Sequence, residues 1–225
     1  MSDSPLVPTA IFVSGTGTNL QAVIDAVRDR ALPLDVKLVV SSKPGVLALE
    51  RASRAGIPAA VFVWNRGQES RGDYAARLAS AVRAAGARLV LLLGWMHVLA
   101  PEFLSAGFDG VLNLHPAYLP DDPAAEEVTL PDGTTIPAFR GAHALRDAIA
   151  ARMRFSGATL IEITADVDRG PVLARATLAL EPGEDEEAAL ERLHGVEREV
   201  VKDGIWEWLR RRSIGSMPAS GRRGS

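Results

Sequence analysis

The sequence predicts an α/β fold: an open, doubly wound, mostly parallel sheet with helices on both faces. Short apolar and β-branched runs alternate along the chain with longer stretches whose apolar positions recur at helical spacing. The short runs are apolar throughout, which is typical of parallel strands covered on both sides. Ligands of such sheets bind beyond the carboxyl ends of the strands, so we expect the functional residues in the loops that follow the strands.

The first half of the chain alternates strand and helix. Ile, Phe and Val in residues 10–13 predict a buried strand, and Leu, Val and Ile at helical spacing predict a helix over 20–27. The run VKLVV predicts the next strand, and an Ala-, Leu- and Arg-rich helix follows it and ends at Gly56. The remaining patterns predict a strand, an Ala-rich helix and a fully apolar strand. The ranges from the second strand onward are 36–40, 46–55, 59–63, 73–85 and 89–93.

The second half begins with a fifth strand, VLNLH, over 111–115. A long excursion over 116–140 follows, then a helix, two strands and a last helix, predicted over 142–151, 158–163, 172–180 and 185–211. We expect one domain over residues 1–212. The tail 213–225, rich in Gly, Ser and Arg, is predicted to be disordered.

Composition narrows the classes of function. The 225 residues are 47% hydrophobic and 24% charged, which is typical of a soluble globular protein, and no apolar run approaches the roughly 20 residues that span a bilayer. The first ten residues carry no secretory pattern, and cysteine is absent, so we expect a cytoplasmic protein without disulfides or a cysteine nucleophile. The four histidines have no metal-ligand spacing, so no metal is expected. Net charge is −3, and the tail arginines leave about −8 on residues 1–209, which argues against nucleic acid.

The segment SGTGTN, residues 14–19, lies between the first strand and the first helix. A glycine-rich turn there presents backbone N–H groups to an anion at the positive end of the helix. A dinucleotide site would want a third glycine, where Leu20 stands, and an acid after the second strand, where Ser41 to Lys43 stand. A monophosphate site is therefore favoured over NAD(P), while a tight turn with an N-cap from Thr18 or Asn19 remains the structural alternative.

Asn113 and His115 are two residues apart at the end of a strand, so their side chains project from the same face. An amide donor beside an imidazole can stabilise an oxyanion and move a proton. An aspartate in Asp166 to Pro171, between two strands, could orient that imidazole. Strand-end polar groups and a turn aspartate are the structural alternatives.

Taken together and in order, four motifs resemble the folate-dependent phosphoribosylglycinamide formyltransferases, which have a Rossmann-like fold. These motifs are IFVSGTGTNLQAVIDA (11–26), LGWMHVLAPEF (93–103), LNLHPAYLP (112–120) and DRGP (168–171). The resemblance covers residues 8–209. It implies transfer of a formyl group from 10-formyltetrahydrofolate to the amine of glycinamide ribonucleotide in purine biosynthesis, by direct attack and with no metal.

The resemblance also implies site residues. It assigns catalysis to Asn113, His115 and Asp168, rather than Asp166. Residues implied to bind the ribonucleotide are Gly17, Thr18, Asn19, Arg71 and Glu197. Residues implied to bind the folate are Met96, His97, Val98, Leu99, Asp166, Val167, Arg169 and Gly170. The expected partners are these two small molecules, with no nucleic acid and no membrane, and with a homodimer as an option.

Two departures from the family pattern stand out. His97 occupies a position where the family commonly has arginine. An insertion of about 17 residues, 121–137, carries five acids and no base, and its sequence around Pro131 to Gly133 predicts a small hairpin. We expect this insertion to flank the site entrance or meet a partner subunit, and to supply no catalytic residue.

Several alternative functions are open, and one of them is a non-enzymatic binding protein, although the whole set of expected catalytic residues is present. The segment FRGA, residues 139–142, also resembles methionyl-tRNA formyltransferases, but the chain ends about a hundred residues earlier and its body is acidic, which disfavours tRNA. A related folate-dependent formyltransferase acting on a sugar-nucleotide amine is the enzymatic alternative. An NADP-binding oxidoreductase is a remote one.

Overall fold

The computed structural model describes residues 5–215, with side chains described as far as residue 213. Seven strands form one sheet. They are β1 (Val7–Val13), β2 (Leu34–Ser41), β3 (Ala59–Val61), β4 (Leu89–Leu92), β5 (Gly110–His115), β8 (Phe155–Glu162) and β9 (Val172–Ala179). Their order in the sheet is β3-β2-β1-β4-β5-β8-β9. The five strands from β3 to β5 run parallel, β8 pairs antiparallel with β5, and β9 pairs antiparallel with β8.

Helices cover both faces of this sheet, which confirms the predicted doubly wound fold. They are α1 (Thr18–Arg28), α2 (Leu47–Arg54), α3 (Arg71–Ala84), α4 (Pro101–Leu104), α5 (Ala144–Ala150) and α6 (Glu186–Gly215). On one face, apolar residues of α1, α2, α5 and α6 pack with strand residues such as Ile11 and Leu91. On the other face, α3 and α4 pack with the alternate strand residues, among them Phe12 and Val90. Because both faces are covered, the central strands β1 and β4 are almost wholly buried.

The ends of most elements differ from the predictions by up to four residues, as at β1, which begins at Val7, and three differences have a clear physical reason. The short helix α4, which begins with proline, is not predicted because four residues carry no helical period. Strand β8 begins at Phe155, three residues before the predicted start, because Ser156 and Gly157 interrupt the apolar pattern. Helix α6 runs to Gly215, so the first three residues of the predicted tail are helical. The remainder of that tail, 216–225, lies outside the described residues.

The insertion 121–137 folds back on itself as a two-stranded antiparallel hairpin. Strands β6 (Glu127–Thr129) and β7 (Thr135–Pro137) pair with Val128 opposite Ile136. Their inward side chains join Tyr118 and Leu130 in a small apolar cluster, against which Met153 and Phe155 pack. The pairing confirms the hairpin that the sequence around Pro131 to Gly133 predicts, and the apolar cluster, which was not predicted, fixes it to the body of the protein.

Candidate active site

A cavity of about 450 Å³ opens at the carboxyl edge of the sheet. The strand order reverses between β1 and β4, and the loops that follow these two strands line opposite sides of the cavity. Such a reversal leaves a crevice because the two loops turn to opposite faces of the sheet. The residues that follow β5 and β8, together with residues of α6, complete the lining.

The turn after β1 delivers the start of α1 to this cavity. Gly17 is the N-cap residue with a φ of 72°, and no side chain caps the helix. This conformation favours glycine, and an added Cβ would lie 2.7 Å from the Cβ of Ala48 on α2. The predicted alternative, an N-cap from Thr18 or Asn19, is therefore wrong. The first N–H groups of α1 remain available to an anion.

Asn19 and Glu197 meet beside this turn, although they lie on α1 and α6. The Asn19 side-chain amide donates to a Glu197 carboxylate oxygen at 2.8 Å, and both residues are buried. Burial raises the pKa of Glu197, while the Asn19 hydrogen bond and His194 act in the opposite direction. Asn19 Oδ1 is also buried and finds no hydrogen-bond partner among residues 5–215. The pair thus leaves a buried acceptor free for a ligand.

Asn113, His115 and Asp168 come together on the cavity wall. Strand β5 carries the first two, and the loop between β8 and β9 carries the third. Asn113 Nδ2 lies 3.4 Å from Asp168 Oδ1, and His115 Nδ1 lies 3.5 Å from Asp168 Oδ2. The side chains of His115 and Asp168 are 4% and 9% exposed. Asp166 also lines the cavity but its side chain is exposed, so the geometry distinguishes the two aspartates.

Three consecutive residues that the sequence analysis did not assign to the site hold this group in place. The carbonyl of Phe139 lies 2.8 Å from His115 Nε2, and the N–H of Gly141 donates to Asp168 Oδ2 at 2.9 Å. Because a carbonyl can only accept, Nε2 carries the hydrogen of its contact. Arg140 Nε donates to the backbone carbonyl of Asp168 at 3.3 Å. Most of these contacts use backbone atoms, which leave no residue-type signal in a sequence.

Residues 96–99, after β4, form the opposite rim. The N–H of Met96 donates to the hydroxyl of Ser14, which also accepts from Ser42. Met96 and Val98 are each about half exposed and offer an apolar surface to the cavity. Ser42, buried by this contact, stands where a dinucleotide site would want an acid.

His97 on this rim lies among aromatic rings. The Trp95 ring centroid is 5.5 Å away, and those of Trp64 and Tyr74 are each 6.0 Å away, all edge to face. Burial lowers the pKa of His97, and the neighbouring cations Arg66, Lys43 and Arg71 lower it further. The ring is therefore neutral at pH 7, where the family's arginine would be charged.

Three predicted binding residues lie outside the cavity lining. Arg71 begins α3, with its guanidinium carbon 5.9 Å from the Trp64 ring centroid. Arg169 binds the insertion, through the carbonyl of Pro123 and through Glu126 Oε1 at 2.6 Å. Gly170 is packed where an added Cβ would lie 1.7 Å from the Glu162 carbonyl, so its role in this structure is close backbone approach. Of the residues predicted in the folate loop, Asp166 and Val167 line the cavity.

Further lining residues were not predicted. His143 and Arg146 come from the start of α5, and Glu186, Leu190 and His194 come from one side of α6. Arg146 Nε pairs with Glu186 Oε2 at 2.8 Å and so links the two helices at the cavity edge. The spacing from Glu186 to Glu197 places these α6 residues on one helical face, which is the signal that could have found them.

Within residues 5–215, no three His, Asp or Glu side chains are grouped so that they could hold a metal ion. No helix in the same range is long and apolar enough to cross a membrane.

Comparison with known proteins identifies the family. The family profile described as "Formyl transferase" matches residues 8–128 and 133–205, which is most of the chain. The chain belongs to the formyl transferase family. The residues between the two matched parts, 129–132, lie in the hairpin. Membership also favours formyl transfer over the NADP-binding alternative.

Relatives within the formyl transferase family match over most of this chain. The phosphoribosylglycinamide formyltransferase of Dictyostelium discoideum is 29% identical over 87% of this chain and 94% of its own length. The trifunctional purine biosynthetic protein adenosine-3 of Drosophila melanogaster is 37% identical over 84% of this chain, which spans 13% of that protein. The structure of glycinamide ribonucleotide transformylase 1 from Symbiobacterium toebii has a TM-score of 0.78 and 31% identity, covering 96% of this chain and 92% of that one.

Proposed function

We propose that this chain transfers a formyl group from 10-formyltetrahydrofolate to the amine of glycinamide ribonucleotide, a step of purine biosynthesis, and that residues 1–212 act as one domain. The observation that supports this most is one cavity that holds the Asn113, His115 and Asp168 group between an anion-binding turn and an apolar rim. The turn would bind the phosphate of the acceptor, and the apolar rim would bind the flat ring of the donor.

The acceptor is proposed to bind at the turn and α6. The free N–H groups at Gly17 to Asn19 suit a phosphate dianion, because they lie at the positive end of α1. The Glu197 carboxylate can accept from a ribose hydroxyl, and the buried Asn19 Oδ1 can accept a second hydrogen. The overall acidic body would repel this substrate, so local binding groups must supply its affinity.

The folate is proposed to bind between residues 96–99 and Asp166 to Val167. Met96, Val98 and Val167 are each about half exposed, and they present apolar surface to a flat ring. Backbone groups of this rim can bind the polar edge of the ring, so a neutral His97 is compatible with donor binding. Arg71 lies outside the cavity, beside the Trp64 ring. From that position it could contact only the far, anionic end of the donor.

The chemistry needs no enzyme nucleophile. The acceptor amine attacks the formyl carbon, a new C–N bond forms, and the bond from that carbon to N10 of the donor breaks. Asn113 Nδ2 can donate to the oxyanion that develops, and a protonated His115 would place a positive charge beside it. The attacking nitrogen must lose one proton, and N10 must gain one. The pair of His115 Nδ1 and Asp168 Oδ2, 3.5 Å apart, is positioned to accept the first proton and to supply the second.

A direct assay tests this proposal. The purified protein is mixed with 10-formyltetrahydrofolate and one of three acceptors: glycinamide ribonucleotide, glycinamide without the ribose phosphate, or an amino-sugar nucleotide. We expect turnover with the first and little with the others, because only the first fills both the turn and Glu197. Asn113→Ala should lower kcat by about 10² to 10³, which also excludes a contaminating enzyme. Turnover with the sugar nucleotide alone would instead support the sugar-modifying alternative, and tight NADP binding without transfer would contradict the proposal.

A further inference from the structure

We propose that the insertion 121–137 sets the geometry of the His115 and Asp168 pair, with Glu126 and Arg140 as positioning residues. This inference deepens the proposed formyl transfer and rests on it. It also changes the expectation from sequence that the insertion only flanks the entrance. The argument starts at the point where the hairpin returns to the body of the protein.

The returning segment, residues 139–141, contacts both His115 and Asp168. The Phe139 carbonyl lies 2.8 Å from His115 Nε2, and the Gly141 N–H donates to the Asp168 carboxylate at 2.9 Å. Arg140 adds a hydrogen bond to the Asp168 backbone. The orientation of the imidazole and of the carboxylate therefore depends on where this segment lies.

Arg140 fastens the segment to the insertion. Its Nη2 donates to the carbonyl of Ala125 at 2.8 Å, and its Nη1 lies 3.3 Å from Glu126 Oε2. The Arg140 side chain is only 13% exposed, and burial lowers its pKa, with the nearby cation Arg169 acting in the same direction. Two negative charges act on this cation: Glu126 from the hairpin, whose own side chain is 70% exposed, and Asp168 from the site.

Glu126 also contacts the loop between β8 and β9, which carries Asp168. Its second carboxylate oxygen lies 2.6 Å from Arg169, the residue that follows Asp168, and Arg169 further donates to the Pro123 carbonyl. The pKa of Glu126 is lowered by this hydrogen bond and by the charges of both arginines. One carboxylate thus joins the segment before α5 to the loop that carries Asp168.

Asp168 needs such support because of its backbone. Its φ of 53° is left-handed, a conformation that is unfavourable for a non-glycine residue. The hydrogen bonds from Arg140 and Gly141 stabilise this conformation. The apolar cluster around Val128 and Ile136 keeps the hairpin itself in place, so the support is rigid. Without it, the loop can relax and the carboxylate can leave the imidazole.

The test compares two neighbouring glutamates of the insertion. Glu126→Gln removes the shared carboxylate charge, and Glu127→Gln removes the same charge from an exposed side chain with no ion pair in the described part of the chain. We expect Glu126→Gln to lower kcat about tenfold with both KM values within about twofold, and Glu127→Gln to match the parent. Arg140→Lys should retain part of the activity that Arg140→Ala loses, because it keeps the charge.

A second readout separates positioning from general damage. The ¹⁵N and ¹H resonances of the His115 ring report its hydrogen bonds and tautomer, and the chain has only four histidines to assign. We expect these resonances to move in Glu126→Gln and to stay unchanged in Glu127→Gln. Parent kcat and unchanged resonances in Glu126→Gln would overturn the inference, and so would lost stability with unchanged resonances. If the parent protein transfers no formyl group while the resonances still move, the proposed function fails and the positioning role stands.

Discussion

Replacement of Gly17 by alanine should strain the anion-binding turn in two ways. A left-handed φ of 72° costs alanine about 1–2 kcal/mol. An added Cβ would lie 2.7 Å from Ala48 Cβ and 2.9 Å from its Cα, and overpacking of this kind costs about 1–3 kcal/mol. Since the Ala48 N–H also donates to the Gly15 carbonyl, α2 cannot move away without loosening the turn. We expect the free energy of unfolding to fall by about 2–5 kcal/mol.

Gly15→Ala is the matched control, because an added Cβ at Gly15 meets no atom within 4 Å and its φ is not left-handed. Its free energy of unfolding should stay within about 0.5 kcal/mol of the parent. Urea titration followed by tryptophan fluorescence gives both values, provided that the slopes agree. In the same preparations, the KM for glycinamide ribonucleotide should rise about tenfold or more only in Gly17→Ala, since its N–H groups are displaced. Equal unfolding energies for the two variants would refute the reasoning.

Three further predictions concern the site and its surroundings. His115→Ala and Asp168→Asn should each lower kcat about 10³-fold with the fold intact by circular dichroism, whereas the exposed Asp166→Asn should stay within about threefold; equal losses at the two aspartates would contradict the assignment. Because burial raises the pKa of Glu197, the folded protein holds this proton more tightly than the unfolded chain, and the parent loses stability as pH rises through that pKa. As the pH rises from about 4 to 8, the Tm of the parent should therefore fall relative to that of Glu197→Gln. A Tm difference that does not change with pH would speak against a buried carboxylate. Ser70→Ala removes the hydroxyl that caps α3 and should lower the free energy of unfolding by about 1 kcal/mol in a urea titration, which an unchanged midpoint would disprove.

The positions of the central strands could be predicted from sequence because burial on both faces leaves mostly apolar runs. The apolar runs predicted at β1, β2 and β4 all lie within the observed strands, although β1 and β2 begin earlier, at Val7 and Leu34. The start of β8 is missed because Gly157 interrupts the pattern. In the structure this glycine permits close packing, since an added Cβ would lie 2.3 Å from the Ala176 carbonyl.

The candidate site was only partly predictable for a different reason. Asn113 and His115 are adjacent on one strand, so local spacing is sufficient to pair them. The contacts of Phe139 and Gly141 use backbone atoms, which any residue possesses, and no pattern marks them. Arg169 was assigned to the folate by resemblance, but the insertion places Glu126 within reach, and an opposite charge at 2.6 Å determines where the guanidinium lies.

The hydrogen bond between Asn19 and Glu197 joins groups 178 positions apart in the chain. Contacts of such long range form late, because the intervening loop must close before they can contribute. During synthesis the chain emerges from its amino end, so α1 and the anion-binding turn leave the ribosome well before α6 exists. A nascent chain that stops short of α6 would already hold Asn113, His115 and the turn at Gly17, yet it would lack Glu197. The proposed acceptor site is therefore complete only when the last helix docks, and we expect incomplete chains to be inactive.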